Sequence, residues 1–362
     1  MNHQEIADLP GLRWGLVSQY RDQLFGISIL LIMLFHGKTF DALAFSPVLS
    51  SYLPFQSWVS VGAIGVDVFL FLSGMGLYYA MRKQPPLRVF YKNRLKRILI
   101  PYLIIAGTYW FCRDVLMRGD GLQFWKDLSL VSYFTSGNAT FWYIALILPL
   151  YFAAPLILRL FRGRFRTGML FVLYGFCLAL TLYFGVHQDE LFSHLEIALN
   201  RTFIFILGCY FGTIIQEDRP MRSRWIVLAL LILSGRGLVY YLSSLCPLPF
   251  LRKVIVRQWY NGVGFALCIL LPILLRLLRS RQLNRFFAFL GTLSLELYLS
   301  HIASRNLVTA FFPDYKQWDF WPSCFTYLGV LLCACLVSFL LHQAQSKVEL
   351  SLTNRKRSRT SL

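Results

Sequence analysis

Apolar runs long enough to cross a bilayer recur from one end of this chain to the other. About twenty consecutive apolar residues are needed to span the hydrocarbon core as a helix. With no water there, each span must satisfy its own backbone hydrogen bonds. The runs lack the polar stripe that a soluble helix keeps at a 3.6-residue period. Of the 362 residues, 57% are hydrophobic and only 15% charged, too apolar for an ordinary soluble domain. The fold class is therefore all-α, a polytopic transmembrane helical bundle of about ten spans. They are placed near 24–40, 59–80, 98–112, 141–158, 168–186, 201–216, 225–243, 258–275, 286–304 and 323–342.

The net charge of +19 invites a nucleic-acid reading. No nucleic acid is expected, because the basic residues sit in short loops between apolar runs rather than on one soluble module. Their larger share falls in alternate loops, which by the positive-inside rule places both termini in the cytoplasm. Residues 1–23 read as a cytoplasmic N-terminal segment, 24–342 as the transmembrane domain and 343–362 as a basic cytoplasmic tail. The first twenty residues carry no signal-peptide pattern. The eight cysteines show no metal-ligand spacing and read as small packing residues; Cys246 and Cys324 fall near one membrane face, but nothing in the sequence supports a bridge between them. No metal is expected.

Several ionisable residues fall inside spans, where they are costly and mark function by default. His36 ends the run that follows Arg21-Asp22, roughly 20 Å along a helix that starts near residue 22. Neutral imidazole there suits a general base, and equally a hydrogen-bonded core histidine. Asp67 and Ser73 share a span with Gly74 and Gly76, and a buried carboxylate needs a partner. The loop Arg82–Tyr102 carries seven basic residues and no acid. In it Arg94 and Arg97 share a helix face, suited to clamping phosphate or simply to meeting anionic lipid. Glu296, Tyr298 and His301 cluster in a late span, and Arg236 is a buried charge that could pair with Asp67 or Glu296. Trp142 reads as an interfacial anchor. No P-loop, HExxH or GxSxG motif is present.

In this order, these segments resemble the integral-membrane acyltransferase-3 family, whose members O-acylate envelope polysaccharides and other bacterial surface molecules. The pieces that carry the resemblance are Arg21-Asp22 with Gly26 and His36, Gly65-Val66-Asp67 with Phe71-Leu72-Ser73-Gly74, and Arg94-x-x-Arg97 with Pro101-Tyr102. Trp142, and Ser294 with Tyr298-Leu299 and His301, complete the set. The resemblance implies a multi-pass protein of the bacterial cytoplasmic (inner) membrane, contacting membrane lipids. It implies acyl transfer, acetyl first, from acetyl-CoA (acyl-CoA) as co-substrate to a glycan or lipid-linked saccharide acceptor.

By the resemblance, His36 is the essential histidine, and Arg94 and Arg97 hold the acyl-CoA phosphates with Arg21. Asp67 or Glu296 would orient the imidazole, and Tyr298, Ser73 or His301 would stabilise the oxyanion. Many members carry a basic residue directly before the first-motif glycine. Phe25 stands there in this chain, so either Arg21 supplies that charge one turn earlier or the donor is gripped differently. A transporter of a glycan or small anion is the rival class, since it too would use buried His, Asp and Arg. Acceptor choice is assigned to the loops 113–140, 187–200 and 305–322.

Overall fold

The computed structural model of the protein describes residues 11–37, 62–318 and 320–360. Among them the chain is helical, with no strand. The stretches 38–40 and 59–61, at the ends of the first two predicted spans, lie outside the described residues.

After a short helix, Gly15–Gln19, the first long helix, α1 (Arg21–His36), is followed by α2 (Gly65–Arg82) and α3 (Leu87–Trp110). Pro86 stands immediately before α3, where its fixed φ and missing N–H start a helix without loss. The π-helical turn Phe111–Leu116 prolongs α3. Then come α4 (Trp142–Leu160), α5 (Arg166–His187) and α6 (Asp189–Gln216). Next are α7 (Ser223–Ser234) and α8 (Arg236–Leu245), bent by 54° at Gly235. After α9 (Pro249–Leu278), the helices α10 (Arg281–Thr292) and α11 (Ser294–Phe311) meet at a 68° bend, and α12 (Phe320–Thr360) closes the bundle. Pro101, Pro149, Pro155 and Pro272 lie inside helices, as membrane helices tolerate.

Seven of these helices are long and apolar enough to cross a membrane, and up to nine spans result if each bent pair counts as one. Over their described residues, the ten predicted segments fall on helices, two of them across a bend, while the candidate spans number seven to nine. The first is shorter than a full span over its described residues, with 16 in α1. The two bent pairs were read as straight runs, because hydropathy does not register a break.

The centre of the bundle is α2, whose apolar window is 78% buried, against 17% for α5 and 22% for α12. Those two outer helices present large apolar side chains such as Phe171, Phe176, Leu332 and Leu336 outward. Small residues let the central helices touch. A Cβ on Gly26 would strike the Phe287 carbonyl of α10, and one on Gly74 the Phe205 carbonyl of α6. Such contacts allow van der Waals packing where lipid offers helices no hydrophobic reason to associate. The crossing of α1 with α10 fixes where His36 stands relative to the α10–α11 bend.

All eight cysteines are free, Cys246 and Cys324 among them.

Candidate active site

Two clusters of predicted site residues lie at different heights in the bundle. The lower one is a cavity of about 310 Å³ lined by Arg21, Arg94 and Arg97, with Tyr151, Phe69 and Tyr143 among its walls. Three guanidinia thus face one space. Arg94 and Arg97 come from one face of α3, as their spacing requires. Among the described residues no carboxylate lies at ion-pair distance from either, while Arg21 has Asp22 at 3.5 Å. The Arg21 guanidinium lies over the Phe25 ring, 4.8 Å from its centroid, and both line the cavity. A cation therefore does occupy the space beside Phe25.

A second cavity of about 580 Å³ adjoins the first, sharing Arg97, Thr292, Ser294, Leu295 and His342. The α10–α11 bend makes this shared wall and exposes the start of α11 to it. Helix N-termini favour anions. Glu296 belongs here. Its carboxylate lies 3.9 Å from His342 Nδ1 and lines the larger cavity with Arg97, five residues before His301 on α11. Its partner is thus His342, not His36 or Arg236.

The upper cluster is built on two histidines that the sequence places 265 residues apart. His36, the last residue of α1, meets His301 of α11 at 2.8 Å between Nδ1 and Nε2, with the rings stacked. His301 is fully buried, and its Nδ1 lies 2.7 Å from the Leu297 carbonyl. A carbonyl only accepts, so His301 Nδ1 carries the proton. In neutral His301, Nε2 then accepts, and His36 Nδ1 donates to it. That leaves the lone pair of His36 on Nε2. Tyr298 packs beside the pair, 6.0 Å from the His301 ring and 5.3 Å from that of Tyr143. Its buried hydroxyl meets no hydrogen-bond partner at normal geometry.

Neither cavity is lined by His36. Tyr143 forms part of the smaller cavity's wall, Tyr298 lies behind it, and the histidines lie behind Tyr298. A chain of ring contacts, Tyr143 to Tyr298 to His301, thus links the cavity wall to the histidine pair.

Asp67 is placed elsewhere. It pairs with Arg201, whose Nε donates to Oδ1 at 2.9 Å, and both are buried. Arg201 also donates to the Ala63 carbonyl at 3.3 Å and lies over the Trp142 ring. Trp142 is thus a cover for Arg201 as well as a residue near a helix start. Nearby, Arg257 grips Glu196 at 3.0 and 3.3 Å, and Asn261 and Gln258 bond Asn200. No hydrogen bond joins Asp67 to His36. The predicted orienting role falls instead to His301, which was read as an oxyanion donor. Arg236 does not reach Asp67, and its guanidinium lies over Tyr240. Sequence reading passed over Arg201, Glu196 and Arg257. Two opposite-charge pairs inside apolar segments were the available signal.

At the far end of α3 from Arg94, the loop 113–140 folds into two short helices, Gly121–Leu128 and Val131–Thr135, around Asp127. Arg113, Gln123 and Asn138 all donate to that carboxylate. Burial pushes the Asp127 carboxyl up. Hydrogen bonds from Ser132, Gln123 and Asn138, with Arg113 alongside, outweigh it and hold the group below the usual carboxylate range.

A many-helix membrane bundle with a polarised histidine above a cationic cavity has the makings of a membrane acyltransferase. Comparison of the sequence with known families places it further. The family model described as an acyltransferase domain, that of the acyltransferase-3 family, matches residues 20–343, and the chain belongs to that family. No curated protein and no solved structure matches the chain.

Proposed function

We propose that the chain is an O-acyltransferase of the bacterial cytoplasmic membrane, with ten spans and both termini in the cytoplasm. It would move an acyl group, acetyl first, from cytoplasmic acyl-CoA to a hydroxyl of an extracytoplasmic or lipid-linked glycan. The observation that carries this reading is the hydrogen-bonded pair His36–His301, which leaves the lone pair of His36 on Nε2.

The donor's phosphates are held by Arg94, Arg97 and Arg21, as bidentate guanidinium–phosphate contacts favour. From Arg21 to His36 is about 22 Å along α1 at 1.5 Å per residue. The pantetheine arm covers that distance past Tyr143 and Tyr298, whose rings turn aside to admit it. His36 Nε2 takes the proton of the acceptor hydroxyl as its oxygen attacks the thioester carbonyl. The Tyr298 hydroxyl donates to the oxyanion that forms. The C–S bond then breaks, and the departing thiolate recovers the proton from His36. In a relayed version the same Nε2 attacks the thioester, and the acyl-imidazole is then opened by the alcohol. His301 holds the imidazole in the needed tautomer in both versions, the office that a carboxylate fills in serine hydrolases.

The test uses the full chain in native membranes with radiolabelled acetyl-CoA. Transfer of label to glycan that His36→Ala abolishes, in protein of normal abundance, supports the reading. A fully active His36→Ala overturns it. Glycan or anion movement across vesicles without thioester consumption would return the chain to the transporters.

A further inference from the structure

Arg305 carries no motif signal and falls, by sequence, in a loop just beyond the ninth predicted span. In the structure it lies within α11, four residues after His301 and so on the same helix face, one turn farther along. That is the face that brings His301 against His36. The Arg305 Nε and Nη2 both donate to Oδ1 of Asn306, at 3.0 and 2.7 Å. Among the described residues no carboxylate pairs with it. A guanidinium has five N–H donors, and one amide oxygen engages two of them. A cation at this depth without a counter-ion is costly unless water or an anion meets it.

Its position along α11 says which substrate it faces. The helix starts at the arginine-lined cavities with Ser294 and Glu296, reaches His301 five residues after Glu296, and reaches Arg305 nine residues after it. That is about 14 Å past the cavity wall at 1.5 Å per residue. A thioester coming from the cavities meets the histidines first. Arg305 stands one turn beyond His301 along α11, on the side away from the cavities.

We infer that Arg305 receives an anionic group of the acceptor, a carboxylate or a phosphate, held beside the hydroxyl that is acylated. The inference rests on the acyltransferase reading above and narrows its substrate to acidic acceptors. Guanidinium is well matched to either anion through paired N–H bonds. Asn306 fixes its plane, so two donors are already oriented when the acceptor arrives.

The experiment again uses membranes with the full chain, its endogenous glycan and radiolabelled acetyl-CoA. The labelled glycan is passed over an anion exchanger at neutral pH before and after mild acid that cleaves glycosyl phosphates. Retention before acid is expected. Retention that survives acid identifies a carboxylate, and retention lost with acid identifies a phosphate; both support the inference. In parallel, Arg305→Gln is expected to raise the KM for acceptor about tenfold or more, with kcat affected less. Arg305→Lys, which keeps the charge, should recover a good part of that loss. A labelled product that flows through as a neutral species overturns the inference, as does an unchanged acceptor KM in Arg305→Gln. An absence of thioester consumption in the wild-type chain is a different result, and it overturns the acyltransferase reading itself.

Discussion

Two sets of arginines in this bundle behave in opposite ways. Arg201 and Arg257 are matched by Asp67 and Glu196, and carbonyls, amides and a tryptophan ring complete their surroundings. Arg94 and Arg97 face a cavity with no carboxylate at ion-pair distance among the described residues. Desolvating a charge is expensive, and a matched pair recovers much of that expense within the protein. Arg94 and Arg97, half-buried and exposed, incur less of that expense and stay open to whatever enters the cavity. The difference separates charge that holds helices together from charge that faces a cavity. By its contacts, Asp67 belongs with the first.

The largest expected effect lies outside both sets, at the histidine they frame. His36→Ala should lower acyl transfer by about a thousandfold, within the usual range for loss of a general base. The matched pair comes next. Arg201→Ala should destabilise the bundle by about 3–5 kcal/mol, seen as a lower melting temperature in detergent, because it strands the Asp67 carboxylate. The double change Asp67→Leu with Arg201→Met should restore stability. Activity that returns with it confirms the pair as scaffold, whereas stable but inactive protein would give Asp67 back a role in the chemistry.

For the unmatched set, Arg94→Ala should leave the melting temperature nearly unchanged and raise the KM for acyl-CoA about ten- to a hundredfold. That is the value of one hydrogen bond to a charged group. A large drop in stability would break the comparison. His301→Gln should slow transfer by roughly tenfold, the worth of one neutral hydrogen bond, without altering the KM for acyl-CoA. Smallest is a pH effect at the folded loop. A carboxyl held low in the native state stabilises above its unfolded pKa and loses that contribution as pH falls through its native value. Amide exchange in residues 121–135 should therefore rise below about pH 4, and Asp127→Asn should remove that dependence.

Much of the bundle was legible because lipid leaves a chain few choices. The apolar runs give the helices, and the segments 141–158 and 168–186 differ from Trp142–Leu160 and Arg166–His187 by only a few residues. The breaks at Gly235 and Leu293 were read through, since the segments around them stay apolar on average while the backbone turns. That mattered, because the second break builds the wall of the cavities. His36, His301, Tyr298, Arg94 and Arg97 could each be picked out as residues whose type does not suit their surroundings. Their grouping could not, because it depends on close crossings such as Gly26 against Phe287, which no local pattern encodes. Arg305 escaped notice for a plainer reason. Just past a predicted span end it looked like a loop charge, whereas α11 runs on to Phe311.

The tyrosines between the arginine cavity and the histidines have a consequence for the cell as well as for the reaction. On the acyltransferase reading, a protein that admits one reactant from each side of an energised membrane risks becoming a wire for protons. Tyr143 and Tyr298 stand edge to face between the cavity wall and His301, where rings that part for one reactant at a time would keep the two approaches from opening together. Catalysis and insulation would then depend on the same two rings.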